Sequence, residues 1–156
     1  HFHRDDFRIF YEGNNPVSFI HITPSISPVY DNNPAYQIFS YRKTNYSLLN
    51  YETYYLKNIP GNNLNADELP QWIFEYNFND AYDESSYSID ALLNASMKIA
   101  DDSLYRENYI KFYTCSNEAM TDKDRKDWYY NICGFGNLTS ESYAECLCAN
   151  SALSPK

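Results

Sequence analysis

The spacing of the apolar residues changes near Pro60, and this change constrains the fold more than any other feature of the sequence. Before Pro60 the residues alternate in character as β-strands do, whereas after Gly61 the apolar residues recur with a helical period. We therefore expect an α+β chain, with the end of a sheet over residues 1–60 and a small helical domain over residues 61–156.

The first part of the chain contains strand-like runs separated by turn residues. Residues 7–11 read as a strand that residues 13–16 end, residues 17–22 read as a second strand, and three prolines place a loop over residues 23–34. Residues 36–41 and 48–56 predict a hairpin that turns through residues 42–45. Short antiparallel strands of this kind need another layer to cover them.

Apolar stripes after residue 61 predict a series of helices. Ser88 is the expected N-cap of the second helix, Thr121 with Asp124 forms a capping box at the start of the fourth, and Ser140 or Ser142 opens a short last helix. The stripes consist of Trp72, Ile73 and Tyr76; of Ile89, Leu92, Leu93 and Met97; of Tyr105, Tyr109, Phe112 and Tyr113; and of Trp128 and Ile132.

The charge balance argues against a nucleic-acid partner. The formal net charge is -9, and the basic residues are scattered, so the chain repels phosphate backbones. No apolar run approaches the ~20 residues that cross a bilayer, so we expect no transmembrane segment. Aromatic residues make up 18% of the chain, which is ample material for a folded core.

Cysteines and glycosylation sequons favour an oxidising compartment of the secretory pathway. The four cysteines, Cys115, Cys133, Cys146 and Cys148, lie in the last third of the chain and form no CxxC pair. Sequons begin at Asn45, Asn94 and Asn137. We expect Asn45 and Asn137 to be exposed, whereas Asn94 lies on a helix beside an apolar stripe.

Two histidines at the start of the chain have the spacing of metal ligands. His1 and His3 are at i and i+2, so in an extended segment their imidazoles point the same way and can reach one metal ion, or one each of a pair. A pair of metal ions ~3.5–4 Å apart binds a phosphodiester well. The alternative is a chance pair on an exposed segment.

The residues that follow resemble the final metal motif of the calcineurin-like metallophosphoesterases. That motif is a Gly-His-x-His turn followed by a strand, and in the acid sphingomyelinase branch it continues as x-Asp-x-Phe, which Asp5 and Phe7 match. Later segments also resemble that branch: Ile22-Thr-Pro-Ser25, Tyr30-Asp-Asn-Asn-Pro-Ala-Tyr36, Tyr51-Glu-Thr-Tyr54, Leu69-Pro-Gln-Trp72, Ile132-Cys133 and Ser142-Tyr143-Ala-Glu-Cys146.

The resemblance implies roles for individual residues. His1 and His3 would each ligate one ion of a dinuclear centre, most simply of Zn²⁺, that is shared with residues upstream. Asp5 would accept a hydrogen bond from a ligand histidine, or else cap a turn. Tyr30 would lie near the substrate, or else cover the edge of the sheet. His21 matches no ligand of the family, and we interpret it as a structural histidine.

The resemblance also implies an activity and a missing partner. The final strands of a metallophosphoesterase β-sandwich would lie at residues 1–60, and the family's other metal motifs have no counterpart here. We therefore interpret the chain as a fragment that is inactive alone and catalyses with an upstream domain. The intact protein would be a secreted or lysosomal phosphodiesterase acting on sphingomyelin at a membrane surface, or on a nucleotide. The competing hypothesis is a secreted binding module without catalysis.

The family's last disulfide matches Cys133 and Cys146. The family has an earlier disulfide in the region of Cys115, but the nearby partner cysteine is missing here and Cys148 is extra. A Cys115–Cys148 bridge is therefore the simplest second disulfide. Two other connectivities stay open: Cys115–Cys133 with Cys146–Cys148, in which the C-x-C bridge is strained, and Cys115–Cys146 with Cys133–Cys148.

Overall fold

A computed structural model describes residues 3–28, 32–58 and 69–150 of the chain. The described strands form two antiparallel sheets, and the helices follow them in sequence. The strands are β1 (Asp6–Glu12), β2 (Asn15–Ile22), β3 (Ala35–Tyr41), β4 (Leu48–Lys57) and β5 (Gln71–Asn77). The helices are α1 (Phe78–Tyr82), α2 (Ile89–Asp101), α3 (Ser103–Tyr113), α4 (Glu118–Gly134) and α5 (Ser140–Asn150). The predicted α+β class is confirmed at this level.

The predicted hairpin of β3 and β4 is present, and the first two predicted strands also form one. β1 and β2 pair through a tight turn in which Gly13 has a φ of +60°, a left-handed value that glycine adopts without steric cost. β3 and β4 pair in the same antiparallel manner from Ala35 opposite Tyr55 to Tyr41 opposite Leu48. The alternating sequence pattern therefore identified these four strands and the pairing of β3 with β4 correctly, whereas the pairing of β1 with β2 is a finding of the structure.

The prediction of a helix around Trp72 is wrong, because this segment is strand β5 and pairs with β4. Thr53 lies opposite Tyr76 and Tyr54 lies opposite Phe74, so Glu75 is an extra residue between the two pairs. Such a β-bulge changes the face on which the following side chain lies. It brings Tyr76 to the buried face of the sheet while Trp72 and Phe74 stay exposed, which breaks the alternation that identifies a strand.

The described helices agree with the sequence from α2 onward, apart from the start of α4. The Ser88 side chain accepts a hydrogen bond from the Ala91 N–H as the predicted N-cap of α2. α4 begins at Glu118 rather than Thr121, so the predicted capping box is wrong. Thr121 lies inside the first turn, where its hydroxyl donates to the Asn117 carbonyl over 2.8 Å. α5 begins at Ser140, one of the two predicted positions.

The hydrophobic core lies between the sheets and helices α1 to α3 and is rich in aromatic rings. Its fully buried side chains include Ile9 of β1, Phe78 of α1, Leu92 and Ile99 of α2, and Ile110 of α3. Residues from both sides of position 60 therefore share one core. The predicted domain boundary itself falls outside the described residues and stays a prediction.

One predicted disulfide is confirmed and the other is wrong. Cys133 and Cys146 are bridged, with their Cα atoms 5.7 Å apart, and join α4 to α5. Cys115 is not bonded to Cys148. Its thiol is completely buried in the turn after α3, whereas Cys148 is exposed on α5, which packs on α4. The two cysteines therefore lie in different environments on different elements.

Candidate functional site

The segment that carries the predicted metal ligands lies against β4, β5 and α3. His3 is exposed and has a φ of +48°, and its carbonyl accepts a hydrogen bond from the Ser25 N–H over 2.7 Å. The neighbouring Arg4 is buried, with its guanidinium 5.4 Å from the centre of the Tyr113 ring. His1 and Tyr30, the other predicted site residues of this region, lie outside the described residues.

Asp5 is buried beneath this segment and is held by two hydroxyl groups. Its Oδ2 accepts hydrogen bonds from the Tyr76 phenol over 2.7 Å and from the Thr53 hydroxyl over 3.1 Å. Burial raises the pKa of Asp5 to about 7, and the hydrogen bonds from Tyr76 and Thr53 oppose that rise. A buried carboxylate of this kind must stay hydrogen-bonded, so Asp5 fixes the backbone beside His3 to the sheet.

A chain of hydrogen bonds leads from Asp5 to His21. Thr53, which donates to Asp5, accepts from the Gln37 side-chain amide over 3.1 Å, and the Gln37 carbonyl lies 2.6 Å from Nε2 of His21. Nδ1 of His21 lies 2.7 Å from the Tyr87 hydroxyl. With Nε2 protonated, each donor in the chain has an acceptor, and the phenol of Tyr87 donates to Nδ1.

His21 is a structural residue, as predicted. Its ring lies among the rings of Phe39, Tyr51 and Tyr87, with centroids 4.8–5.6 Å away. Burial lowers the pKa of this imidazole and so favours its neutral form. Because both ring nitrogens have hydrogen-bond partners, neither is available to a metal ion.

Asp6 connects the same segment to α3. Its Oδ1 accepts hydrogen bonds from the Tyr109 phenol over 3.0 Å and from the Phe7 N–H over 2.8 Å. Its Oδ2 forms a salt bridge with Arg8. Burial raises the pKa of Asp6 and the charge of Arg8 opposes that rise. The carboxylates of Asp5 and Asp6 therefore attach successive residues to different elements.

The loop that follows β2 is attached to the turn between α3 and α4. The Asn33 side-chain amide donates to the Cys115 carbonyl over 2.8 Å, and the Asn33 N–H donates to the Thr114 carbonyl over 3.3 Å. Cys115 is buried beside Asn32 and Glu75, and its burial raises the thiol pKa well above the usual range. A protonated, buried thiol is a poor nucleophile, so we interpret Cys115 as a structural residue.

Sequence reasoning missed the residues that hold Asp5, and the sequence did contain a signal for them. Gln37 and Thr53 occupy inward positions of β3 and β4, between Phe39 and Tyr51 and other apolar neighbours. A polar side chain at an inward strand position needs a buried hydrogen-bond partner. That pattern predicts a buried polar partner but not its identity, which only the packing of Asp5 reveals.

The predicted glycosylation sites differ in accessibility. Asn45 is exposed in the turn between β3 and β4, and Asn94 is exposed on α2. Asn137 is half-buried, contrary to expectation, and its side-chain nitrogen donates to the Cys133 carbonyl over 3.0 Å. The Cys133 carbonyl is on the last turn of α4, so the Asn137 side-chain nitrogen caps this helix. The same nitrogen is the atom to which a glycan would be attached. Glycosylation at all three positions stays a prediction.

The described residues do not complete a metal centre by themselves. Among them, no group of three or more histidine, cysteine, aspartate or glutamate side chains is placed to hold a metal ion. Nor is any helix in the described part of the chain both long and apolar enough to span a membrane.

Comparison with known proteins shows which family the sequence resembles. A family model described as the acid sphingomyelin phosphodiesterase C-terminal region matches residues 15–153. The chain is 29% identical over 157 residues to acid sphingomyelinase-like phosphodiesterase 3b of Mus musculus and 30% identical over 157 residues to cyclic GMP-AMP phosphodiesterase SMPDL3A of Homo sapiens. Each alignment covers 94% of this chain and 34% of the relative.

A more distant relative has a similar extent of match. Sphingomyelin phosphodiesterase 2 of Caenorhabditis elegans is 26% identical over 159 residues, which are 95% of this chain and 25% of that protein. The chain thus spans between a quarter and about a third of the length of the relatives named here.

Proposed function

Because the chain belongs to the family of acid sphingomyelin phosphodiesterase C-terminal regions, we propose that it is the C-terminal part of a longer, metal-dependent phosphodiesterase. The observation that carries this proposal is the family match over residues 15–153, downstream of the His-x-His segment at residues 1–3. The relatives are named as phosphodiesterases and are about three times as long as the stretch they share with this chain. The family match favours this enzyme over a binding module without catalysis.

The residues present suit a metal centre that is shared with the rest of the protein. His1 and His3 would supply imidazole ligands of the kind that zinc prefers, and His3 is exposed while its backbone is held by Ser25. The remaining ligands would come from an upstream domain. When bound, two zinc ions would activate water and neutralise the negative charge of a phosphodiester.

The other residues of the segment would orient these ligands. Asp5 lies two positions after His3 and is held by hydroxyl groups of β4 and β5, so it keeps the backbone beside the histidine in place. A carboxylate in such a place also suits the role of acceptor for a ligand ring N–H. Tyr30 would contribute a phenol to the substrate region, as the resemblance implies.

The substrate we propose is a phosphodiester, with sphingomyelin as the first candidate and a nucleotide as the second. Relatives with either substrate in their names match this chain. The match to the cyclic GMP-AMP phosphodiesterase has the higher identity and covers the larger share of the relative, so the second candidate must be assayed beside the first. Sphingomyelin hydrolysis would require peripheral contact with a membrane surface.

A secretory or lysosomal location would suit both the sequons and the disulfide. The Cys133–Cys146 bridge needs an oxidising compartment to form and persist. Asn45 is exposed at a hairpin turn, where its side-chain oxygen accepts a hydrogen bond from the Ser47 hydroxyl over 2.9 Å. A folded hairpin tip of this kind is accessible to a glycan.

The longer coding sequence and the protein it encodes test the proposal. We expect upstream Asp-x-His and Asn-His motifs, and a purified protein that contains zinc and hydrolyses sphingomyelin or cyclic GMP-AMP. Replacing His3 with Ala should lower both zinc content and turnover by about 100-fold or more. A His21→Asn variant is the control, since it disturbs a structural histidine. Absence of the upstream motifs, or zinc and turnover that His3→Ala leaves unchanged, would contradict the proposal.

A further inference from the structure

Two hydroxyl groups from neighbouring strands meet at one oxygen atom of Asp5. Tyr76 of β5 and Thr53 of β4 lie opposite each other in the sheet, and both donate to Oδ2 of Asp5. Asp5, Tyr76 and Thr53 are 4%, 6% and 0% exposed, so water does not replace either donor. The carboxylate is therefore held by a fixed pair of protein donors.

The position of the Tyr76 hydroxyl is itself determined by surrounding residues. The ring stacks on Phe112 of α3 with centroids 3.8 Å apart and an angle of 10° between planes. The Tyr51 hydroxyl lies 2.8 Å from the Tyr76 oxygen and can donate to it while Tyr76 donates to Asp5. The bulge at Glu75 brings the side chain to this face. Tyr76 thus links α3 and β5 to the segment that carries His3.

The residues on either side of Asp5 are also held by hydrogen bonds, to other partners. The His3 carbonyl accepts from the Ser25 N–H, and the Asp6 carboxylate accepts from Tyr109. Between these two residues, the Arg4 guanidinium lies against the Tyr113 ring and the Asp5 carboxylate accepts from Thr53 and Tyr76. Losing the donors to Asp5 would remove the hydrogen bonds that hold its side chain to β4 and β5, while the contacts of His3, Arg4 and Asp6 remain.

We propose that Tyr76 is a positioning residue for the metal ligands of the His-x-His segment, acting through Asp5 and supported by Thr53. This inference rests on the proposed function, because it assumes that His3 binds metal in the intact protein. It assigns a specific task to strand β5 and helix α3, which follow the His-x-His segment in sequence: they hold the metal-binding segment in its place.

The test compares two buried phenols in the full-length enzyme. Tyr76→Phe removes the donor to Asp5, and Tyr87→Phe removes a donor of the same kind to His21, at the far end of the hydrogen-bond chain. Both rings stay in place, so the loss of stability should be similar. Zinc retention is measured by challenge with a graded chelator, together with kcat, KM and the midpoint of urea unfolding.

We expect Tyr76→Phe to weaken zinc retention by about 10- to 100-fold and to lower kcat more than it raises KM. Tyr87→Phe should keep zinc and kcat close to wild-type values at a comparable loss of unfolding midpoint. If Tyr76→Phe does not fold, Thr53→Val takes its place, and Thr53→Ser, which keeps the hydroxyl, should restore zinc retention.

Two results would overturn the inference, and they are distinguishable from failure of the proposed function. Wild-type zinc retention in Tyr76→Phe would remove the positioning role, as would equal weakening in Tyr76→Phe and Tyr87→Phe, which indicates a general effect of stability. A wild-type enzyme that binds no metal at all would instead overturn the proposed function, and the inference with it.

Discussion

The phenol of Tyr109 on α3 donates a hydrogen bond to the carboxylate of Asp6 on β1 over 3.0 Å, although the two residues are 103 positions apart in the sequence. Both side chains are buried, so water cannot take the place of this hydrogen bond if it is lost. It joins the first described strand to a helix from the other end of the core.

Replacing Tyr109 with Phe should therefore destabilise the fold by about 1–3 kcal/mol, because Asp6 loses a donor in a place where water cannot replace it. Urea unfolding of the purified chain measures the change. Tyr46→Phe is the control, since Tyr46 is 77% exposed and its replacement should stay within about 0.5 kcal/mol. Equal effects of the two replacements would show that the buried bond contributes nothing.

Glu75 should make stability fall as pH rises. Burial raises its pKa to about 8 from 4.5; the Ser116 hydroxyl and Lys111 oppose the rise, and Asp5 adds to it. Between these values the folded chain holds a proton that the unfolded chain has released, so the free energy of unfolding declines by up to about 1.4 kcal/mol per pH unit. Glu75→Gln abolishes this dependence.

The gain in stability from Glu75→Gln should be small at pH 5 and reach about 2–4 kcal/mol at pH 8. Urea titrations of both proteins at several pH values measure it. Glu141→Gln, at an exposed position on α5, should show no such trend. A gain from Glu75→Gln that is the same at every pH would contradict the raised pKa.

The disulfide between α4 and α5 should contribute about 3 kcal/mol to stability, on the chain-entropy account. Replacing Cys133 and Cys146 together with Ala should lower the free energy of unfolding by that amount, whereas Cys148→Ala, at an exposed position, should change it by less than about 0.5 kcal/mol. Peptide mapping of the non-reduced protein should link Cys133 to Cys146. A peptide that links Cys115 to Cys148 would contradict the structure.

Glycan occupancy should be higher at Asn45 than at Asn137. Asn45 is exposed, whereas Asn137 is half-buried and its side-chain nitrogen donates to the Cys133 carbonyl, which limits access to it. Glycopeptide mass spectrometry of secreted protein measures both occupancies. Asn45→Gln should remove one glycan mass from the intact protein. Full occupancy at Asn137 with none at Asn45 would reverse the expected order.

Much of the fold was predictable because many of its elements depend on residue patterns within a few positions of the sequence. The alternation in β1 to β4, the proline-rich loop after β2 and the Ser88 cap each act over a few residues, and each was identified correctly. Strand β5 was not identified, because the bulge at Glu75 moves Tyr76 to the other face of the strand. The apolar residues of β5 then have a spacing that resembles that of a helix. Its partner is β4, and strand pairing of this kind depends on residues far away in the sequence.

The candidate site divides in the same way. The sequence by itself indicated the family, the His-x-His segment and the structural nature of His21, because each depends on residue types at short or characteristic spacings, and the family resemblance in turn implied the Cys133–Cys146 bridge. Only the tertiary structure decided that Asp5 accepts from Thr53 and Tyr76, that Asp6 accepts from Tyr109, and that Cys115 is buried away from Cys148. These contacts join distant segments, and packing of the core determines which distant polar groups meet where water is excluded.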